Sequence, residues 1–349
     1  MARDYRVIII PGDGIGPEVT DATLAVLAAV QGRDNFTFHL ETHSAGAAHY
    51  DATGRAMDDA TLAACRSADG VLKGPVGNPA VRSPDGIEAG TLGGVLRPGL
   101  DAYANIRPIR LYPGVTSALR EVPDTGIDYI IVRENTEGLY ASRGKGTVTP
   151  EGVTDYMIMS RTGIDRIVRK AFSVAASRPN PHVTCVDKSN VLRSFALFRE
   201  IFDSNAAQRS DIAADHLYAD AAAAALVERP GTFDVLVTEN FVGDILSDLG
   251  AATVGGLGMC PSGNIGDDAA YFEPIHGSAL ALAGQNRANP LATILSAAML
   301  LDWLGEALAA MRIRSAVERT LATATISLNS NGTTPQGTKA AANAVIAAL

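Results

Sequence analysis

Short, nearly all-apolar runs that stop at glycine or acidic turns recur along the chain, each followed by a stretch whose apolar residues return every three or four positions. Tyr5 to Ile10 is the first such run. It stops at Pro11-Gly12 and leads into DATLAVLAAV, with Pro17 placed for a first helical turn. The unit reads as strand, glycine loop, helix. The same alternation predicts a strand and glycine-rich turn at 68–79 ending near Lys73, and a strand in IIVRENTEGLY before a hairpin or arm. It also predicts a strand in HVTCVDKSNVL (182–192) ending at Lys188, and an alanine-rich helix in DHLYADAAAAALVERP (215–230) with Asp220 at its start. FDVLVTENFVGDILSDLG (233–250) is a buried strand, a turn and a helix. A long helix from Pro290 to Ala310 and a closing helix after a polar turn complete the series. Strands alternating with helices define an α/β chain.

Composition narrows what such a chain does. Its 349 residues, 47% of them hydrophobic, supply core for two domains or one bilobal domain at about 150 residues each. A net charge of −9 argues against a nucleic-acid or anionic-membrane surface, so any anion must be met by a local basic cluster. Cys65, Cys185 and Cys260 lie far apart without CxxC spacing, which suggests neither a disulfide framework nor a zinc site, and fits a cytoplasmic protein. The first apolar run is too short for a signal segment, and no run approaches the ~18 residues of a membrane span.

The chemistry-bearing residues stand at the ends of these elements. Asp244 and Asp248 are four apart and share a helix face just after a strand, where open α/β sheets bind ligands. Two such carboxylates suit a hard divalent cation, the plainer alternative being a solvated helix face. Arg97, Arg107 and Arg133 each follow or end an apolar run. Three guanidinium forks meeting at a sheet edge would match a substrate with more than one carboxylate, where isolated surface ion pairs would not. Tyr140 lies near them as a candidate proton donor, although a tyrosine there is usually packing. Lys188 ends a strand, a place more often solvated than catalytic, and His276 sits in a Gly, Ser and Ala loop able to accept an adenine or a phosphate. Gly12, Gly14 and Gly16 invite a dinucleotide fingerprint. Their spacing is GxGxG, however, and Asp13 stands where a pyrophosphate would be repelled.

GDGIGPEV, LR followed ten residues later by the arginine of ANIRP, VRENTEGLY, VDKSNVL, ENFVGDILSDL, FEPIHGSA and ANP occur in order from end to end. In these blocks the chain resembles the β-decarboxylating dehydrogenases, which act on isocitrate, 3-isopropylmalate, homoisocitrate and tartrate or D-malate. The resemblance implies an isopropylmalate/isocitrate dehydrogenase-like fold, two lobes around a central mixed sheet and not a Rossmann fold. Residues 1–102 and 255–349 would form a large cofactor-binding lobe, and 103–254 a small lobe with the arm and a dimer interface. It makes Arg97, Arg107 and Arg133 the carboxylate clamp with Thr91 beside it, and Asp220, Asp244 and Asp248 the Mg²⁺ or Mn²⁺ ligands. Lys188 becomes the general base and Tyr140 the general acid. Lys188 and Asp220 would come from the second subunit of a homodimer. NAD, with NADP as the alternative, would lie over His276, Gly277, Ser278, Ala279 and Asn289, with Ile15 near the nicotinamide.

Two positions depart from the family pattern. Isocitrate enzymes place Ser and Asn six and four residues before the clamp arginine, and isopropylmalate enzymes place leucine at the second position. Here these are Thr91 and Gly93, with Gly94 next to it. The NAD enzymes carry an acid in HGSAPD that binds the ribose, whereas this chain reads HGSALA with Ala281 in its place. The expected activity is metal-dependent NAD(P)-linked oxidative decarboxylation of a small di- or tricarboxylic 2-hydroxy acid, 3-isopropylmalate-like or a related malate derivative. Isocitrate, homoisocitrate, tartrate and D-malate are the alternative substrates. A non-catalytic regulatory subunit and a Rossmann alcohol dehydrogenase are the rival classes, and survival of base, acid and metal ligands argues against the first.

Overall fold

The computed structural model describes residues 3–349, which divide into two compact units. The first comprises the chain up to Ala102, Leu111–Ala118 and Val254–Leu349, and the second comprises Tyr103–Arg110 and Leu119–Thr253. Strands in chain order are β1 (Arg3–Ile10), β2 (Phe36–Thr42), β3 (Gly70–Lys73), β4 (Ala104–Arg110), β5 (Asp128–Glu134) and β6 (Thr147–Thr149). They continue with β7 (Gly152–Thr154), β8 (His182–Asp187), β9 (Ala213–Tyr218), β10 (Val235–Thr238), β11 (Pro261–Ile265) and β12 (Ala270–Pro274).

In the first unit the strand order is β2-β1-β3-β12-β11. β1 pairs parallel with β2 and β3, β3 pairs parallel with β12, and β11 returns antiparallel. Val7 to Ile10 and all of β3 are buried, as continuous apolar strands covered on both faces must be. The helix Leu291–Trp303 is apolar nearly all round and packs against β11 and β12 as a buried helix. The single helix expected over Pro290 to Ala310 is in fact two. The chain turns at Gly305, φ +81°, and restarts as Ala307–Ala322, because a left-handed glycine ends a helix more cheaply than any other residue.

Leu111–Ala118 was expected in the small lobe and groups instead with the first unit. A Cβ on Gly114 would collide with the Leu321 carbonyl oxygen, and one on Gly255 would collide with the Val115 side chain. That close backbone approach holds the excursion in place.

In the second unit the order is β4-β5-β10-β8-β9, with β4–β5 antiparallel and the rest parallel. The helix Arg161–Ala176 buries Ile164, Ile167, Val168, Ala171, Phe172 and Ala175, the three-and-four spacing of one face. Its N-cap Ser160 accepts from the Gly163 N–H at 2.9 Å. The arm anticipated after Tyr140 is the hairpin β6–β7, register Thr147↔Thr154. The antiparallel pairs make this a mixed α/β chain and not a Rossmann fold. Among the described residues no helix is long and apolar enough to cross a membrane.

Candidate active site

The site in the second unit grows from β4 and β5, which place Arg107 and Arg133 on neighbouring antiparallel strands. Arg133 is only 1% exposed. A buried guanidinium is tolerated when its donors are met. Its Nε and Nη2 donate to Asn240 Oδ1 at 3.1 and 2.8 Å, and Nη1 donates to Asp244 Oδ1. Arg107 donates from Nε to Asn105 Oδ1 and from Nη1 to Ser247 Oγ, both at 2.5 Å, and stands 3.7 Å from Asp244 and 3.9 Å from Asp248. Tyr140 Oη donates to Asp244 Oδ2 at 2.8 Å, with the ring edge-on to Phe241. Five of the anticipated residues therefore meet here.

The helix that carries the acids is Asn240–Thr253. Glu239 explains the start: its Oε2 accepts from the Phe241 and Val242 N–H groups at 2.9 and 3.1 Å, capping the helix. Gly243 then allows the contact with β5. A Cβ there would lie 2.7 Å from Arg133 Cγ and 2.9 Å from its Cβ. Partial burial raises the Asp248 carboxyl above its ordinary range, Arg107 and Arg133 oppose this, and Asp244 reinforces it. A close pair of hard oxygen donors whose charges disfavour each other fits a divalent cation.

Sequence reasoning missed Glu239, Asn240 and Glu134. An acid–amide pair directly before an apolar helical run was the available signal for the first two. Burial raises the Glu134 carboxyl, which backbone N–H groups of Thr136 and Glu137 stabilise at 2.8 Å each, folding the turn that leads to Tyr140.

Lys188 and Asp220 form a second group. Lys188 Nζ donates to Asp220 Oδ1 at 2.5 Å, and this bond holds the Asp220 carboxyl below its usual range. β8 ends at Asp187, one residue short of the expected Lys188. Among the described residues no three His, Cys, Asp or Glu side chains gather to hold a metal, so Asp220 does not join Asp244 and Asp248 within one chain.

The first unit holds the remaining candidates. The Asp13 carboxylate does not face a ligand, contrary to its expected role in repelling a pyrophosphate. It accepts from the backbone N–H groups of Ala47 and Gly77, each at 2.8 Å on Oδ2, and of Ala48 at 2.9 Å on Oδ1. Gly12 (φ +81°) and Gly14 (φ +59°) take left-handed turns against the Pro75 and Ser278 carbonyls, where no Cβ fits. Ser278 Oγ donates to Gly77 O at 2.6 Å, and its carbonyl accepts from the Ile15 N–H at 2.9 Å, so the three glycine loops are tied together.

Ile15 is buried with Val19 and Ala288, and Ala279 holds φ +39°. Asn289 spends its amide on Gly258 O and the Leu291 N–H, both at 3.0 Å, whereas a Cβ on Gly277 would meet open space. His276 Nδ1 lies 3.0 Å from Gly277 O, and its buried Nε2 has no protein partner, a hydrogen-bonding position that a ligand would fill. This orphaned nitrogen beside an open glycine fits a nucleotide cofactor. Thr91 and Arg97 lie before and on the helix Gly93–Gly99, where Gly94 faces open space.

Buried arginines, paired acids and a tyrosine hydroxyl suit an enzyme acting on a polyanionic acid. The profile of the isocitrate/isopropylmalate dehydrogenase family matches residues 6–345. The chain is 44% identical to a 3-isopropylmalate dehydrogenase of Thermobifida fusca, covering 92% of each chain. It is 41% identical to one of Synechococcus over 99% of each. The crystal structure of isocitrate dehydrogenase from Methylococcus capsulatus superposes with TM-score 0.88 at 36% identity, covering 99% of both. The chain belongs to the isocitrate/isopropylmalate dehydrogenase family, and is an oxidoreductase of the β-decarboxylating class.

Proposed function

We propose that this enzyme oxidises and decarboxylates a (2R,3S)-type 2-hydroxy-3-carboxy acid, a 3-isopropylmalate-like malate derivative, with NAD and Mg²⁺ or Mn²⁺. The observation that carries the reading is the cluster of Arg107, Arg133, Tyr140, Asp244 and Asp248. Arg107 and Arg133, with Arg97 and Thr91, bind the substrate carboxylates, the forks matching two oxygens each. Asp244, Asp248 and Asp220 hold the cation, and His276, Gly277, Ser278, Ala279, Asn289 and Ile15 receive the nucleotide. When bound, the nicotinamide accepts the hydride and the cation draws electron density from the substrate 2-oxygen.

Lys188 takes the hydroxyl proton as the C–H electron pair leaves. The bond to the 3-carboxylate then breaks to release CO₂, its electrons form an enolate, and Tyr140 protonates the carbon that carried the carboxylate. Arginines fixed by Asn105, Asn240 and Ser247 orient the departing carboxylate without reorganising during the reaction.

Lys188 and Asp220 act in the site of a second copy, which makes the enzyme a homodimer. Support comes from the apolar side chains left bare in the second unit: Val148 (77% exposed) and Val153 (68%) on the arm, and Ile245 (54%) on the acid-bearing helix. Ala281 offers neither an acid for the ribose hydroxyls nor a cation for a 2′-phosphate, and the nearest base along the loop, Arg287, stands six positions on, so NAD is the expected cofactor, with weak discrimination against NADP. The test is turnover of isopropylmalate, malate, tartrate, isocitrate and homoisocitrate with Mn²⁺ and each nucleotide, reading reduced cofactor and CO₂ together. Reduced cofactor without CO₂, or full activity in EDTA, overturns the reading.

A further inference from the structure

Lys188 sits at the end of a chain of side chains that the reaction itself does not use. Asp187, fully buried, accepts two bonds from Arg199, Nε at 2.7 Å and Nη2 at 3.1 Å. Arg199 Cζ stands 5.2 Å from the centre of the Tyr218 ring, and Lys188 Nζ stands 5.8 Å from that same ring. β8 and β9 run parallel with Asp187 opposite Tyr218, so the sheet fixes both ends of this arrangement. Tyr218 is also the residue from which the helix Ala219–Glu228 starts, and Asp220 of that helix holds Lys188 Nζ.

We infer that Tyr218 is a positioning residue for Lys188, its ring braced by Arg199 and Asp187 so that the lysine amine keeps one direction. The inference rests on Lys188 being the base. A lysine stem has four flexible carbons, and one partner, Asp220, leaves the ammonium free to swing about that contact. An aromatic face within about 6 Å supplies a second restraint, and Arg199 keeps the ring from turning. The ring is needed for this and the hydroxyl is not, because it is the π face that attracts the cation.

The test is steady-state kinetics of full-length Tyr218→Leu, Tyr218→Phe, Arg199→Met and Lys188→Met, with Mn²⁺ affinity measured separately by electron paramagnetic resonance and folding checked by circular dichroism. Tyr218→Leu should lower kcat about tenfold, or about 1.4 kcal/mol, with KM and Mn²⁺ affinity unchanged. Tyr218→Phe should restore kcat to within about twofold, and Arg199→Met should fall between them. A folded Tyr218→Leu with wild-type kcat, or a Tyr218→Phe as slow as Tyr218→Leu, overturns the inference while the role of Lys188 stands. A Lys188→Met enzyme with full turnover overturns that role instead.

Discussion

Replacing Asp13 tests the claim that its carboxylate is part of the frame and not of the ligand site. In Asp13→Ala the backbone N–H groups of Ala47, Ala48 and Gly77 lose their acceptor together. A hydrogen bond to a charged group contributes about 1.5–3 kcal/mol, and entering water recovers part of it, so the expected loss is roughly 3–5 kcal/mol. Domains of about 150–250 residues lose about 2–4 °C of Tm per kcal/mol, which makes the shift about 6–20 °C. Asp13→Asn should lose less. Its one carbonyl oxygen can keep the two bonds now made by Oδ2, but its amide opposes the Ala48 N–H, at a cost of about 1–3 kcal/mol. The assay is thermal and urea unfolding followed by circular dichroism, with cofactor binding measured on the folded fraction. Equal melting of wild type, Asn and Ala would refute the framing role. A stable Asp13→Ala with tighter nucleotide binding would restore the repulsion that the sequence suggested.

Asp244→Asn with Asp248→Asn should abolish Mn²⁺ binding by electron paramagnetic resonance and turnover with it, while Tm stays within a few degrees; retained Mn²⁺ affinity would count against the assignment. Burial holds His276 below its ordinary 6.5, so the stability it contributes is present above about pH 6.5 and is lost as pH falls through its folded-state value. His276→Gln should therefore flatten the fall in Tm below about pH 6.5, and an unchanged slope would exclude that origin. Charging the arm with Val148→Glu and Val153→Glu should shift light-scattering mass toward the monomer and lower specific activity most at high dilution. Ala281→Asp should tighten NAD by about 1–3 kcal/mol and suppress NADP use, read by isothermal titration.

Strands buried on both faces were easy to read, because VLVT and VIII allow no other placement, and the i,i+4 acids followed from helix geometry. The role of Asp13 was not readable, and that of Glu239 was signalled only by the acid–amide pair ahead of its helix. An aspartate between glycines in a loop looks like a charge that would repel a phosphate until the fold brings Ala47 and Gly77 to it from elsewhere in the chain. The break at Gly305 was hidden by apolar residues that continue on both sides of it, since periodicity reports burial and not the sign of one φ. The convergence of Arg107 and Arg133 was legible in the motif order. Their support by Asn105 and Ser247 was not, because hydrogen-bond partners distant in sequence leave no local pattern.

Gly243 has a consequence beyond allowing close packing. The methylenes of Arg133 occupy the space that a side chain at 243 would take, and Asp244 is the next residue, so the buried guanidinium and the carboxylate it is bonded to move as one piece. Neither can be tuned alone by a small backbone shift. Changes that retarget such an enzyme should therefore accumulate at positions such as Gly94, where a new side chain meets open space and leaves the charge centre alone.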